Sequence, residues 1–142
     1  MPDKIKIEKS MLEFAFENHS FDTQYYLDIE TGDIITKSDE VFEEEIDEEE
    51  IENNPERFYY IEPIESRHSF GIMENFIYAI EDKKTKNDLN DSINRKKPFR
   101  SFKDRLYNYP EIQERWYKFY EEELEKIMIE WLRDNNINAE LV

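Results

Sequence analysis

The sequence predicts an α+β fold: a small antiparallel sheet of about three strands packed against several helices, with a long helix towards the C-terminus. Three observations carry this. Ile112, Trp116, Tyr120, Leu124, Ile127 and Trp131 recur at steps of four, four, four, three and four, which keeps them along one side of a long helix. Residues 23–29 alternate weakly and are rich in β-formers. Glu30-Thr31-Gly32-Asp33 then supplies a turn before Ile34-Ile35-Thr36 resumes the strand. Finally, two glycines and five prolines in 142 residues leave little chain for irregular loops.

The length is that of a single domain over 1–142, large enough to bury a sizeable core. Aromatic residues make up 15% of the chain, which argues for a packed interior although 39% of the residues are charged. The net charge of −17 repels nucleic acid and anionic membranes over most of the surface and favours basic partners. With no cysteine there is no disulfide framework, no thiolate nucleophile and no zinc–thiolate site. The first ten residues, MPDKIKIEKS, lack the apolar stretch of a signal peptide, and no run approaches 18 apolar residues. The expected setting is a soluble cytoplasmic domain.

Taken in order, Ser10-x-x-Glu13 reads as a capping box opening a short helix over 11–18, with Leu12, Ala15 and Phe16 inward. The hairpin follows. Gly32 falls where its loop needs a residue at positive φ. Asp28, Glu30 and Asp33 are read as turn carboxylates rather than metal ligands. Residues 39–52 hold ten acids and no base, with Ser38 to cap them and Phe42 and Ile46 four apart; a short, fraying helix with a solvated acidic face is expected. Asn53-Asn54-Pro55 breaks it. A third strand, 58–61, ends before Pro63.

A helix over 66–81 supplies the sheet with a cover, through Phe70, Met73, Ile77 and Ile80 with Ile72 and Phe76 beside them. Gly71 inside it is read as allowing a close crossing by another element. Residues 83–105 reverse the charge, with nine basic and three acidic side chains. Thr85-x-x-Asp88 is expected to cap a helix that turns Leu89 and Ile93 inward, and Pro98 to open the next one, with Phe99, Phe102 and Leu106 on one face. Asn108-x-x-Glu111 with Pro110 marks the start of the long helix, and Asn135-Asn136 its stop.

Several of these pieces together resemble a bacterial family. They are Tyr26-Leu27-Asp28-x-Glu30-Thr31-Gly32-Asp33, Arg57-Phe58-x-x-Ile61-x-Pro63 and Met73-x-x-Phe76-Ile77. The fullest match is Phe99-Arg100-x-Phe102-Lys103-Asp104-x-Leu106, followed by Trp116-Tyr117-x-Phe119 and Trp131-Leu132. The sequence is similar here to uncharacterised protein family 0158. That resemblance implies a single-domain cytoplasmic bacterial protein and supplies no activity, substrate or catalytic residue. Where the family has a small glycine-containing turn before the Phe-Arg pair, this chain has Asn94-Arg95-Lys96-Lys97-Pro98.

Function is therefore read from charge. Arg100 and Lys103, with Arg95, Lys96, Lys97 and Arg105 around them and Tyr107 extending the face, form a basic ridge in an acidic chain. It suits a phosphate or a partner carboxylate, because guanidinium forks bind either in bidentate fashion. The competing expectation is that Arg100 and Lys103 pair internally with the acidic run. Nucleic-acid binding by the same ridge, with Tyr107 or Tyr109 to stack on a base, is an alternative. So is an acidic face engaging a basic protein. An enzyme is disfavoured: His19 and His68 are isolated, nothing pairs a nucleophile with a base, and no cofactor or metal set stands out.

Overall fold

The computed structural model describes residues 4–20, 22–38 and 48–142. Along the chain run β1 (Ile5–Ile7), α1 (Lys9–Glu17), β2 (Thr23–Asp28), β3 (Ile34–Ser38), α2 (Glu48–Asn53), β4 (Phe58–Ile61), α3 (Ser66–Tyr78), α4 (Lys83–Ile93), α5 (Pro98–Leu106), α6 (Pro110–Asp134) and β5 (Ala139–Leu141). The α+β class, the three-stranded antiparallel sheet and the long C-terminal helix are as the sequence predicts. The elements group into two compact units, Met1–Ile64 with Ile127–Val142, and Glu65–Lys126. Their charges differ sharply. The second unit has thirteen basic and thirteen acidic residues, and the first has six against twenty-three, so the first carries the whole net charge.

In the first unit the sheet order is β3-β2-β4, with Tyr26 opposite Ile35 on one side and Tyr60 on the other. The hairpin closes through the Gly32 N–H donating to the Asp28 carbonyl at 2.8 Å, with Gly32 at φ 84°. A Cβ at Gly32 would collide with the Lys6 carbonyl oxygen, so the glycine serves both the turn and a close backbone approach to β1. Two strands not predicted from the sequence, β1 and β5, form a separate parallel pair with Ile5 opposite Ala139 and Ile7 opposite Leu141. Each is three residues long and pairs across nearly the full length of the chain.

That pairing also moves the start of α1. The Lys9 N–H donates to the Val142 carbonyl, and the Leu12 N–H already reaches back to Glu8. The helix therefore begins at Lys9, two residues before the expected position, and the capping box does not form; the Ser10 hydroxyl donates to Glu8 instead. Leu12, Ala15 and Phe16 are buried as expected, and the Phe14 ring meets Tyr25 of β2 edge-on at 5.9 Å. The acidic run at 39–47 lies outside the described residues. Its last part forms α2, with Ile51 buried.

In the second unit α3 ends at Tyr78, three residues short of the expected limit, yet Ile80 beyond it is still buried. Its inward face is Ile72, Met73, Phe76 and Ile77, while Phe70 is half-buried. Among the described residues nothing crosses at Gly71, because a Cβ there meets none of them within 4 Å. Helix α4 is capped by Asp82 rather than by Thr85. The Asp82 carboxylate accepts the Thr85 N–H at 3.0 Å and the Thr85 hydroxyl at 2.5 Å, so Thr85 stands in the first turn. The core gathers on Trp116, whose ring meets Phe102 at 4.9 Å and Phe76 at 5.3 Å.

Helix α6 buries Trp116, Leu124, Met128 and Leu132 most deeply, whereas Ile127 and Trp131 are half-buried. Each step of four runs about 40° past a full turn, so the buried line drifts around the helix. Asn135-Asn136 does end it. Asn136 takes φ 57°, its N–H donates to the Arg133 carbonyl, and the Ile137 N–H donates to the Leu132 carbonyl. These are the two bonds of a Schellman cap with Asn in the glycine position.

Candidate functional site

The basic segment acquires its geometry from the hydrophobic residues between its charges. Leu89 and Ile93 of α4, with Phe102 and Leu106 of α5, are buried, which leaves the intervening charged side chains facing outward. Helix α4 stops where the Asn94 side chain donates to the Asn90 carbonyl at 2.8 Å and its N–H to Asp91 at 3.2 Å. Residues 95–97 then form an exposed link, and Pro98 opens α5 with its fixed φ. Lys97 at the N-cap gives that helix no side-chain cap, so its first N–H groups are left for solvent or a ligand.

Arg95, Lys96, Lys97 and Arg100 converge on one open depression of about 630 Å³, with Arg105, Ser101 and Asp104 completing its wall. Lys103 of α5 and Tyr107 at its C-cap are exposed but do not line it. The helical turn explains the split: Lys103 is about 300° around the axis from Arg100, on the side away from Ser101 and Arg105.

The cations of this edge fall into two groups. Arg95 donates to Asp91 Oδ2 at 2.9 Å, and Arg105 reaches the same oxygen at 3.4 Å while also pairing with Asp88. The Tyr109 hydroxyl donates to the other oxygen of Asp88 at 2.6 Å. The hydrogen bond from Arg95, its charge, and weaker help from Arg105 hold the Asp91 carboxyl below the usual range against a small burial penalty. The Asp88 hydrogen bond, then burial and its charge, push the Tyr109 phenol up. By contrast, among the described residues Lys96, Lys97, Arg100 and Lys103 take part in no ion pair. Asp88 and Asp91 are counter-charges not predicted from the sequence, although Asp91 and Arg95 stand at the helical i, i+4 spacing.

A second polar centre lies in the first unit. Asp28 is 1% exposed, and Arg57 grips it with Nε to Oδ1 at 3.0 Å and Nη2 to Oδ2 at 2.9 Å. The Glu30 N–H donates to Oδ1 as well, and the guanidinium lies 4.9 Å from the Phe58 ring centroid. Burial opposes ionisation of Asp28, but the Arg57 bond, the Glu30 N–H and the Arg57 charge outweigh it and hold the carboxyl below the usual range. Asp28 is thus more than a turn carboxylate. Among the described residues no three potential ligands gather as a metal site, and both histidines are exposed.

Comparison with known proteins agrees with the resemblance. An UPF0158 protein of Pseudomonas aeruginosa is 34% identical over 131 residues, 92% of this chain and 84% of that protein. An UPF0158 protein of Chlamydia trachomatis is 32% identical over 127 residues, and one of Chlamydia muridarum is 31% identical over 127. This chain spans only 38% and 37% of those two. No solved structure matches. The two motifs around Asp28 and Arg57 turn out to be opposite ends of one ion pair. The model of the Uncharacterised protein family (UPF0158) matches residues 1–141, and the chain belongs to that family.

Proposed function

We propose that this protein is a non-enzymatic binding module that takes an anionic group of its partner at the basic edge between α4 and α5. The cytoplasmic setting expected from the sequence is part of the proposal. One observation carries it: Lys96, Lys97 and Arg100 meet at one depression, exposed and outside any ion pair among the described residues. In a chain of net charge −17, carboxylates are plentiful, and three neighbouring cations left without one among the described residues suit an external anion.

Thermal unfolding with added orthophosphate tests this. A ligand that binds only the folded state raises the melting temperature with its concentration. The wild type and Lys103→Gln should respond, less so at high salt, while the Lys97→Gln, Arg100→Gln double variant should not. An unresponsive wild type, or a double variant that responds equally, removes the proposal.

Tyr107 favours a second reading, single-stranded nucleic acid. It is 71% exposed, one helical turn from Lys103, where a base could stack beside a phosphate contact. Loss of oligonucleotide binding in Lys103→Ala, Tyr107→Ala, with orthophosphate binding intact, would favour it over the first.

A further inference from the structure

We infer that the α4–α5 depression takes a compact oligophosphate, two or more linked phosphates, and that Asp91 is the resident carboxylate such a ligand displaces. The inference rests on the anion-binding reading of the same edge. Among the described residues, five cations face about 630 Å³ of open space against one lining carboxylate, Asp104. Arg95 and Arg105 are already paired with Asp91 and Asp88, so a single carboxylate or phosphate monoester can meet Lys96, Lys97 and Arg100 but has too few oxygens to reach those two arginines as well. A short phosphate chain presents several oxygens within the same span.

Asp91 shows where one of those oxygens belongs. Its Oδ2 lies between two guanidiniums, 2.9 Å from Arg95 Nη2 and 3.4 Å from Arg105 Nη2, and both arginines line the depression. One carboxylate oxygen thus occupies the position a phosphate oxygen would take. The Asp91 side chain is 57% exposed, and exposed pairs of this kind are weak enough to exchange. A monocarboxylate ligand carries the same charge as Asp91 and gains nothing by replacing it. A phosphate chain brings more charge, meets Lys97 and Arg100 first, and then competes for Arg95 and Arg105. The uncapped start of α5 adds its orphan N–H groups to the same edge. An extended nucleic-acid strand is less well served here, since Tyr107 lies outside the depression and the Tyr109 hydroxyl is committed to Asp88.

Calorimetric titration of the full chain with tripolyphosphate, orthophosphate, citrate and a short oligothymidylate tests this, at low and physiological salt. Tripolyphosphate should bind most tightly. Asp91→Asn should tighten it about two- to fivefold, the range set by a surface ion pair. The Lys97→Gln, Arg100→Gln variant should weaken it by about tenfold or more. Unchanged or weaker binding in Asp91→Asn overturns the inference, because Asp91 would then position the arginines rather than compete for them. Equal affinity for citrate or orthophosphate also overturns it, and tighter oligothymidylate transfers the site to nucleic acid. In each of these cases orthophosphate binding lost in the double variant leaves the broader anion reading standing. If no anion binds the wild type, both fall together.

Discussion

The Arg57 guanidinium closes a two-pronged ion pair on the Asp28 carboxylate, at 3.0 and 2.9 Å, and so ties the start of β4 to the end of β2. The backbone follows the same path, since the Ile29 N–H donates to the Arg57 carbonyl at 3.0 Å. Removing the cation strands a buried carboxylate, and an unsatisfied buried group costs about 1–3 kcal/mol, more when charged. Arg57→Ala should therefore lower the urea midpoint well beyond Arg95→Ala, whose pair is on the surface. Arg57→Lys should recover only part of the loss, because an ammonium cannot match both oxygens. Equal midpoints for Arg57→Ala and Arg95→Ala would contradict this.

The same pair predicts an acid-sensitive component of stability. Asp28 titrates lower folded than unfolded, so between those two values the unfolded chain binds the extra proton and stability rises with pH. The contribution is complete above the ordinary carboxylate range, near pH 4, and is lost as pH falls through the lowered folded value. Asp28→Asn should be less stable than the wild type at pH 7, and the difference should shrink steadily below about pH 4. Denaturation midpoints from pH 2 to 7 measure it; a difference constant with pH would show that Asp28 ionisation does not matter.

The two glycines should answer alanine substitution with opposite signs. Gly32→Ala places a side chain at φ 84° against the Lys6 carbonyl. The left-handed conformation alone costs about 1–2 kcal/mol, and the collision adds to it. Gly71→Ala fills open space in the interior of α3 and should stabilise by about 0.5–1 kcal/mol. Paired chemical denaturation curves decide it. Destabilisation by Gly71→Ala would mean that the glycine is needed for something other than helix geometry.

The end of α6 offers a third backbone test. Asn136 holds φ 57°, so Asn136→Gly should be neutral or mildly stabilising and Asn136→Ala should cost about 1 kcal/mol. Losing that turn also disturbs the approach to β5, which begins at Ala139. Hydrogen exchange at the Ile137 and Val142 amides should accelerate in Asn136→Ala and not in Asn136→Gly.

Features that depend on neighbours within a few turns are legible in the residues alone. The length of α6 with Trp116 and Leu124 inward, the Gly32 hairpin, the inward faces of α1 and α4, Phe102 and Leu106 of α5, and the Asn136 stop follow from period and local backbone preference. Phe99, by contrast, is exposed, and the C-terminal half of α6 turns Met128 and Leu132 inward in place of Ile127 and Trp131. The sequence also placed Arg95, Lys96, Lys97 and Arg100 on one stretch, because consecutive residues before a helix stay close. Tertiary structure decided the rest. Three-residue strands such as β1 and β5 carry too short a pattern to announce themselves and exist only through pairing across the chain. The start of α1 moved because Val142 accepts the Lys9 N–H, a contact no local cap can foresee. The basic edge became two groups of cations only when Asp88 and Asp91 of α4 were set against Arg105 of α5. Asp28 became a buried ion-pair partner because β4 brought Arg57 to it from 29 residues away. Burial and long-range pairing set the energy of a charge, and neither can be read from the residues beside it.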